Sequence, residues 1–236
     1  MKHAILTTGI GLVLAMGGTA FAADPAAVAQ TPQAAQNVAP LTATPVGQMS
    51  AGEAVVDFAP LVQQAGDYLN NLKTLKARFL LTAADGTQQI GTFYLDRPGH
   101  LRFQYDPPAK DFIVADGILI YFYDAQLKQQ SNAPIGQTLA DFLLRKNIKL
   151  SGDIKVTRVM RGGGLLQITV QQAKDPGAGT LTLGFTENPM ALKKWRVVDA
   201  QNQTVEVELF QMETGIPLDD DLFVYHDPSP KKRVNE

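Results

Sequence analysis

The 236-residue chain has no cysteine. That excludes disulfides, thiolate metal ligands, iron–sulfur clusters and a cysteine nucleophile. Histidine is nearly as scarce, at His3, His100 and His226. A zinc site needs three or four converging ligands, so the two histidines of the main chain body would have to be completed by carboxylates. Both read better as turn or strand residues. Serine is confined to Ser50, Ser131, Ser151 and Ser229, none in a Gly-x-Ser-x-Gly elbow. Neither sign of charge dominates: Lys plus Arg is 21, Asp plus Glu is 23, and the net charge is -2. A basic footprint for nucleic acid is therefore missing. Two motifs tempt and fail. Arg161-Gly162-Gly163-Gly164 lacks the Gly-Lys-Ser/Thr of a phosphate loop and reads as a hairpin. Asp219-Asp220-Asp221 lacks the alternating spacing and terminal glutamate of a calcium loop and reads as a solvated turn. Strand-borne carboxylate pairs leave no fixed spacing, so glycoside chemistry is not addressed by the sequence. Nothing positively supports an enzyme, a metal or a cofactor.

The chain offers instead an address, a spacer and one patterned domain. Residues 1–22 carry Lys2 and His3, an apolar run from Ala4 to Met16, and the small-x-small end Ala20-Phe21-Ala22. This is the pattern of a secretory signal peptide, and the run is too short for a stable membrane anchor. Processing before Ala23 leaves 214 residues with net charge -3. An exported chain without cysteine fits a bacterial periplasm, where disulfides are permitted and not required. Residues 23–52 are rich in Ala, Pro and Gln with almost no charge. They read as a flexible spacer. The domain is placed at 53–228, followed by a basic tail, 229–236, with Lys231-Lys232-Arg233.

Between Val55 and Leu72, apolar residues step by three and four through Phe58, Leu61, Val62, Ala65 and Leu69. That predicts one helix with a single apolar stripe, Gln63, Gln64, Asp67, Asn70 and Asn71 taking the wet side. The period then changes to two. Asp85-Gly86, Arg97-Pro98-Gly99 and Asp116-Gly117 mark turns between strands, and Ile118 to Tyr123 is apolar on both faces, so both must be covered. Residues 134–146 predict a second, shorter helix or helical turn, with Arg145 and Lys146 at its C-terminal end, where they suit the helix dipole. Strands resume at 152–160, 165–171, 179–186, 193–199 and 203–212. The expected fold is mainly β, with about ten or eleven strands joined by short turns. Meanders favour an antiparallel sheet, and long curled sheets close or half-close into barrels. The helices would then cover the apolar concave face.

Tyr68 to Phe79, Gly91 to Tyr105, Ile113 to Gly117, Tyr123-Asp124, the Leu139 to Leu144 patch, Leu181 to Phe185 and Trp195 to Asp199 together resemble the LolA family. The resemblance covers roughly 55–228. It implies an incomplete, strongly curved antiparallel β-barrel whose apolar concave side is capped by helices. It implies a periplasmic carrier that shields the acyl chains of outer-membrane lipoproteins. Cargo would come from an inner-membrane ABC-type releasing complex and pass to LolB, an outer-membrane acceptor of the same fold. Leu69 matches a leucine lining the family's cavity. Arg97 matches an arginine that hydrogen-bonds to the lid backbone and holds the empty cavity closed; a surface salt bridge is the plainer alternative for this residue.

The residues themselves leave more open. Phe93, Leu101, Phe103, Tyr105, Phe122 and Trp195 either line a cavity or pack helices onto the sheet, because strand register is not legible. Leu69 and Phe142 have the better claim, since helices over a sheet point their apolar stripe inward. No metal, cofactor or nucleic acid is expected, and a monomer is. Two other functional classes stay in view. One is a periplasmic binder or sensor of another lipid on the same fold. The other is an enzyme on a curved sheet, which would need a shifted pKa in its cavity.

Overall fold

In the computed structural model, residues 57–228 are described. The segments read as signal peptide, spacer and basic tail lie outside the described residues, as do Val55 and Val56 of the first helix. Helix α1 spans Ala59–Asn71. Pro60 falls in its first turn, where its missing N–H costs no helical bond. The helix ends where Leu72 turns extended, its N–H donating to the Tyr68 carbonyl at 3.0 Å. Ala65 and Leu69 are its buried residues, with Leu61, Val62 and Tyr68 packed beside them.

Eleven strands follow: β1 (Thr74–Thr82), β2 (Gln88–Asp96), β3 (His100–Tyr105), β4 (Phe112–Asp116), β5 (Leu119–Asp124), β6 (Gln129–Pro134), β7 (Ile154–Gly162), β8 (Leu165–Gln172), β9 (Gly179–Glu187), β10 (Met190–Asp199) and β11 (Thr204–Thr214). A 3-10 turn at Ile135–Gln137 and the one-turn helix α2, Asp141–Leu144, lie between β6 and β7. All strands join one antiparallel sheet in the order β6-β5-β4-β3-β2-β1-β11-β10-β9-β8-β7. Two meanders, β1–β6 and β7–β11, therefore meet along the β1–β11 pair.

The expected strongly curved, incomplete barrel is corrected by this order. The sheet is open, with β6 and β7 at opposite edges and unpaired with each other. Turn residues specify which strands are neighbours, but closure depends on whether the two edge strands meet, and no local signal encodes that. The strand count of eleven agrees with the periodicity. β6 was not anticipated at all: five of its six residues are exposed, so it carries no alternation to detect.

The core lies on the face that α1 and α2 cover. β1 alternates strictly, with Leu75, Ala77, Phe79 and Leu81 turned inward. Phe79 faces Gly91 of β2, and Gly91 faces Tyr105 of β3. With no side chain at Gly91, the Phe79 and Tyr105 rings meet edge to face at 5.3 Å. A Cβ there would stand 2.2 Å from the Gln104 carbonyl oxygen and 2.7 Å from the Phe79 ring. The two-sided burial expected of β5 is present. Ile120 and Phe122 join the main core, while Tyr121 and Tyr123 face a second cluster with Phe112 and Val114. The C-terminal segment covers that second cluster. Tyr225 stacks on Tyr121 at 4.7 Å and 11°, and Arg102, lying over the Phe112 ring, donates to the Leu222 carbonyl at 3.1 Å.

Candidate functional site

The candidate site is the helix-covered face of β1–β3 and β10. Leu69, Phe93, Leu101, Phe103, Tyr105, Phe122, Phe142 and Trp195 all fall in one buried cluster. Register brings them together: Phe93 opposes Phe103, and Leu95 opposes Leu101. Phe93 touches Phe103 at 4.6 Å and Trp195 at 5.5 Å between ring centroids. Phe79, which alternation alone would have flagged, meets Phe103 at 5.1 Å. From above, Tyr68 of α1 sets its edge on Phe185 of β9 at 6.1 Å. Burial pushes the hydroxyls of Tyr68 and Tyr105 above their ordinary pKa. The face under the helices is therefore aromatic and aliphatic.

One cation sits against this apolar block. Arg97, in the turn after β2, is 8% exposed. Its guanidinium donates to the carbonyls of Leu69 and Leu72 (3.2 Å) at the end of α1, and of Arg145 (2.6 Å) and Lys146 (3.4 Å) just past α2. Among the described residues its acceptors are all backbone carbonyls, and burial pulls its pKa below the ordinary guanidinium value. The negative ends of two helical segments supply the compensation instead. The rigid planar fork suits this, because several carbonyls from separate segments can be reached by one head group. The same turn adds a backbone bond, Gly99 N–H to the Leu144 carbonyl at 2.9 Å. Gly99 has φ +92, and a Cβ there would approach Gly117 Cα to 2.9 Å, so only glycine fits.

Two polar residues act differently from their sequence patterns. Asn70, assigned to the wet side of α1, is half-buried: its Nδ2 donates to the Ile148 carbonyl at 2.9 Å and its Oδ1 accepts the Ile148 N–H at 2.8 Å. No short-range signal could reveal a partner 78 positions away. Arg145, read as a helix-dipole residue, bridges Asp141 and Asp153, the latter at 2.6 Å. The histidines stay apart. His100 packs 5.5 Å from the Phe223 ring, and exposed His226 lies 3.1 Å from Asp221. Asp219 caps a 3-10 turn by accepting the Asp221 N–H at 3.0 Å. No group of three or more His, Asp or Glu suited to a metal ion occurs among the described residues.

An apolar face under two helical segments, held down through a buried arginine, is the setting for comparison with known proteins. Residues 70–226 match the family described as outer membrane lipoprotein carrier protein LolA. The chain belongs to that family. It is a carrier and not an enzyme. An outer-membrane lipoprotein carrier protein of Methylibium petroleiphilum is 28% identical over 170 residues, spanning 69% of this chain and 83% of that one. The corresponding protein of Dechloromonas aromatica is 27% identical over 187 residues, spanning 75% and 89%. Among solved structures, a LolA superfamily protein of Nitrosomonas europaea is similar over 71% of this chain and 97% of its own, at 9% identity and TM-score 0.39. The LolA match begins within α1, so residues 1–69 lie outside it.

Proposed function

We propose that the acyl chains of the cargo occupy the face between the sheet and its two helical segments, and that Arg97 controls access to it. The chain is a LolA-family carrier that moves lipoproteins across the periplasm of a Gram-negative bacterium between its two membranes. Each methylene withdrawn from water is worth about 0.8 kcal/mol, so an acylated protein loose in the periplasm would aggregate or insert into the wrong bilayer. A carrier must bury those chains and then release them.

The observation that carries this reading is the Arg97 arrangement: one buried cation holding both helical segments through backbone carbonyls alone. Side-chain identity in the cover is irrelevant to such bonds, so the cover can close over any apolar content, including its own core. Closure without cargo stabilises the empty carrier and lowers its net affinity for acyl chains, which favours release. Leu69 and Phe142 come from the cover, and Phe93, Leu101, Phe103, Tyr105, Phe122 and Trp195 from the sheet. On this reading an inner-membrane ABC-type complex loads the carrier and a LolB-like acceptor unloads it. Residues 1–22 serve export, and 23–52 act as a spacer before the 53–228 domain.

Native mass spectrometry of mature protein from periplasm, without detergent, tests this beside a sample incubated with lipoprotein-loaded spheroplasts. An added mass equal to one intact acylated lipoprotein supports it. A small lipid mass, or none in either sample, would move the assignment to a binder or sensor of free lipid.

A further inference from the structure

We propose that Asn70 is a positioning residue for cargo transfer, fastening α1 to the 145–150 segment so that the two parts of the cover leave the aromatic face as one body. The inference rests on the carrier reading and specifies how its site opens.

Three pieces meet at one point: the sheet, through the Arg97 turn; α1, through its last turn; and the 145–150 segment that follows α2. Arg97 reaches both of the other pieces from the sheet side. Asn70 joins those two pieces to each other through its side-chain amide. When the Arg97 guanidinium lets go, its bonds to both cover segments are lost, but the Asn70 pair is untouched. That pair uses the amide fully on one residue, donor to the Ile148 carbonyl and acceptor from the Ile148 N–H, as one strand residue pairs with another. Ile148 is itself buried in the main core at 3% exposure, which shelters both bonds from competing water. The contact continues at Leu150, whose Cδ1 would lie 3.8 Å from a Cβ built at Gly66 of α1. Lys73 adds a cap, donating through Nζ to the Asn70 carbonyl at 2.7 Å. A cover parting along the α1/145–150 seam would have to break the Asn70 pair and the Gly66–Leu150 contact. One swinging away from the sheet breaks the Arg97 and Gly99 bonds and the packing of Tyr68 on Phe185, and leaves the Asn70 pair intact.

The absence of cysteine makes the test direct. In the mature chain carrying Gly66→Cys and Leu150→Cys, a short bifunctional maleimide bridges α1 to the 145–150 segment. The bridged protein is expected to load lipoprotein from spheroplasts within about twofold of its unbridged form. Loading lost on bridging would overturn the proposal, because the seam itself would then have to open. Hydrogen exchange of the empty carrier gives a readout that needs no cargo. In Asn70→Ala the Ile148 amide is expected to exchange about tenfold faster, the order expected for loss of a sheltered hydrogen bond. Wild-type exchange at Ile148 in Asn70→Ala would also overturn the proposal. Should the unbridged protein itself take up no lipoprotein, the carrier reading fails on that count, and the exchange result alone decides whether Asn70 joins the two segments.

Discussion

Arg97 Nη2 lies 2.6 Å from the carbonyl oxygen of Arg145, a contact between two arginines that involves the charge of only one. The second guanidinium is turned away to Asp141 and Asp153, and its backbone does the receiving. Arg97 thus stays charged and buried, held by the dipoles of backbone carbonyls.

Replacing Arg97 with leucine removes the donor while keeping an apolar stem in the turn. The cover then loses its bonds to the sheet at four carbonyls, a local loss of about 1–3 kcal/mol. Arg97→Leu is expected to load lipoprotein normally or better and to deliver it poorly, because closure of the empty state no longer drives release. Delivery to the acceptor at the wild-type rate in a reconstituted assay would sink this.

Gly91→Ala places a methyl group 2.2 Å from the Gln104 carbonyl oxygen, which is backbone and cannot rotate aside. The β2–β3 pairing must shift and the Phe79–Tyr105 contact must open. A loss of about 2 kcal/mol or more is expected, typical of overpacking a filled site. Thermal unfolding of the two proteins measures it, and equal midpoints would show that the strands accommodate the methyl.

Removing Tyr225 uncovers the outer face of β4 and β5. Its ring stacks on Tyr121 and lies 5.9 Å from Phe112. Tyr225→Ala should cost about 1–2 kcal/mol and raise the fluorescence of a hydrophobic dye, since stacked aromatic pairs contribute beyond their buried area. Unchanged dye binding would mean that the 219–225 segment stays in place without it.

Glu206 on β11 pairs with Lys194 at 3.1 Å and Arg196 at 2.7 Å on β10. Burial pushes its carboxyl up, but hydrogen bonds from Arg196 and Lys194 outweigh this and hold it below the ordinary glutamate range. A depressed folded-state pKa stabilises the protein at pH above the unfolded carboxylate value, roughly 4.3, and that stability is lost as pH falls through the folded one. The pair is partly solvated, so its worth is under about 1 kcal/mol. Glu206→Gln should therefore lower the unfolding midpoint slightly at neutral pH, and the gap should close on acidification. A gap that does not narrow on acidification would contradict the assignment.

The sequence made the strands legible because each turn carries its own chemistry, Asp85-Gly86 and Asp116-Gly117 among them, and because β1 and β3 alternate cleanly. The helical stripe pointed Leu69 inward, but parity alone could not put Phe93 on the face of Phe103, which the strand register decides. Three features escaped. β6 has no apolar period, since one edge strand of a sheet needs few buried residues. Asn70 looked solvated because its partner is distant in the chain. The openness of the sheet lay beyond reading, since hairpin signals say nothing about whether β6 and β7 meet.

The pairing of β1 with β11 has a consequence for how the molecule comes into being. Leu75 faces Thr214, so the middle of the sheet joins residues near the two ends of the folded domain. A chain synthesised from its N-terminus holds β1 without its inner neighbour until the final strand has emerged, and the whole first meander waits with a bare edge. Contacts of such long separation form slowly. For a protein that must cross a membrane before it works, the delay is useful: the architecture postpones its own completion until the entire chain is available.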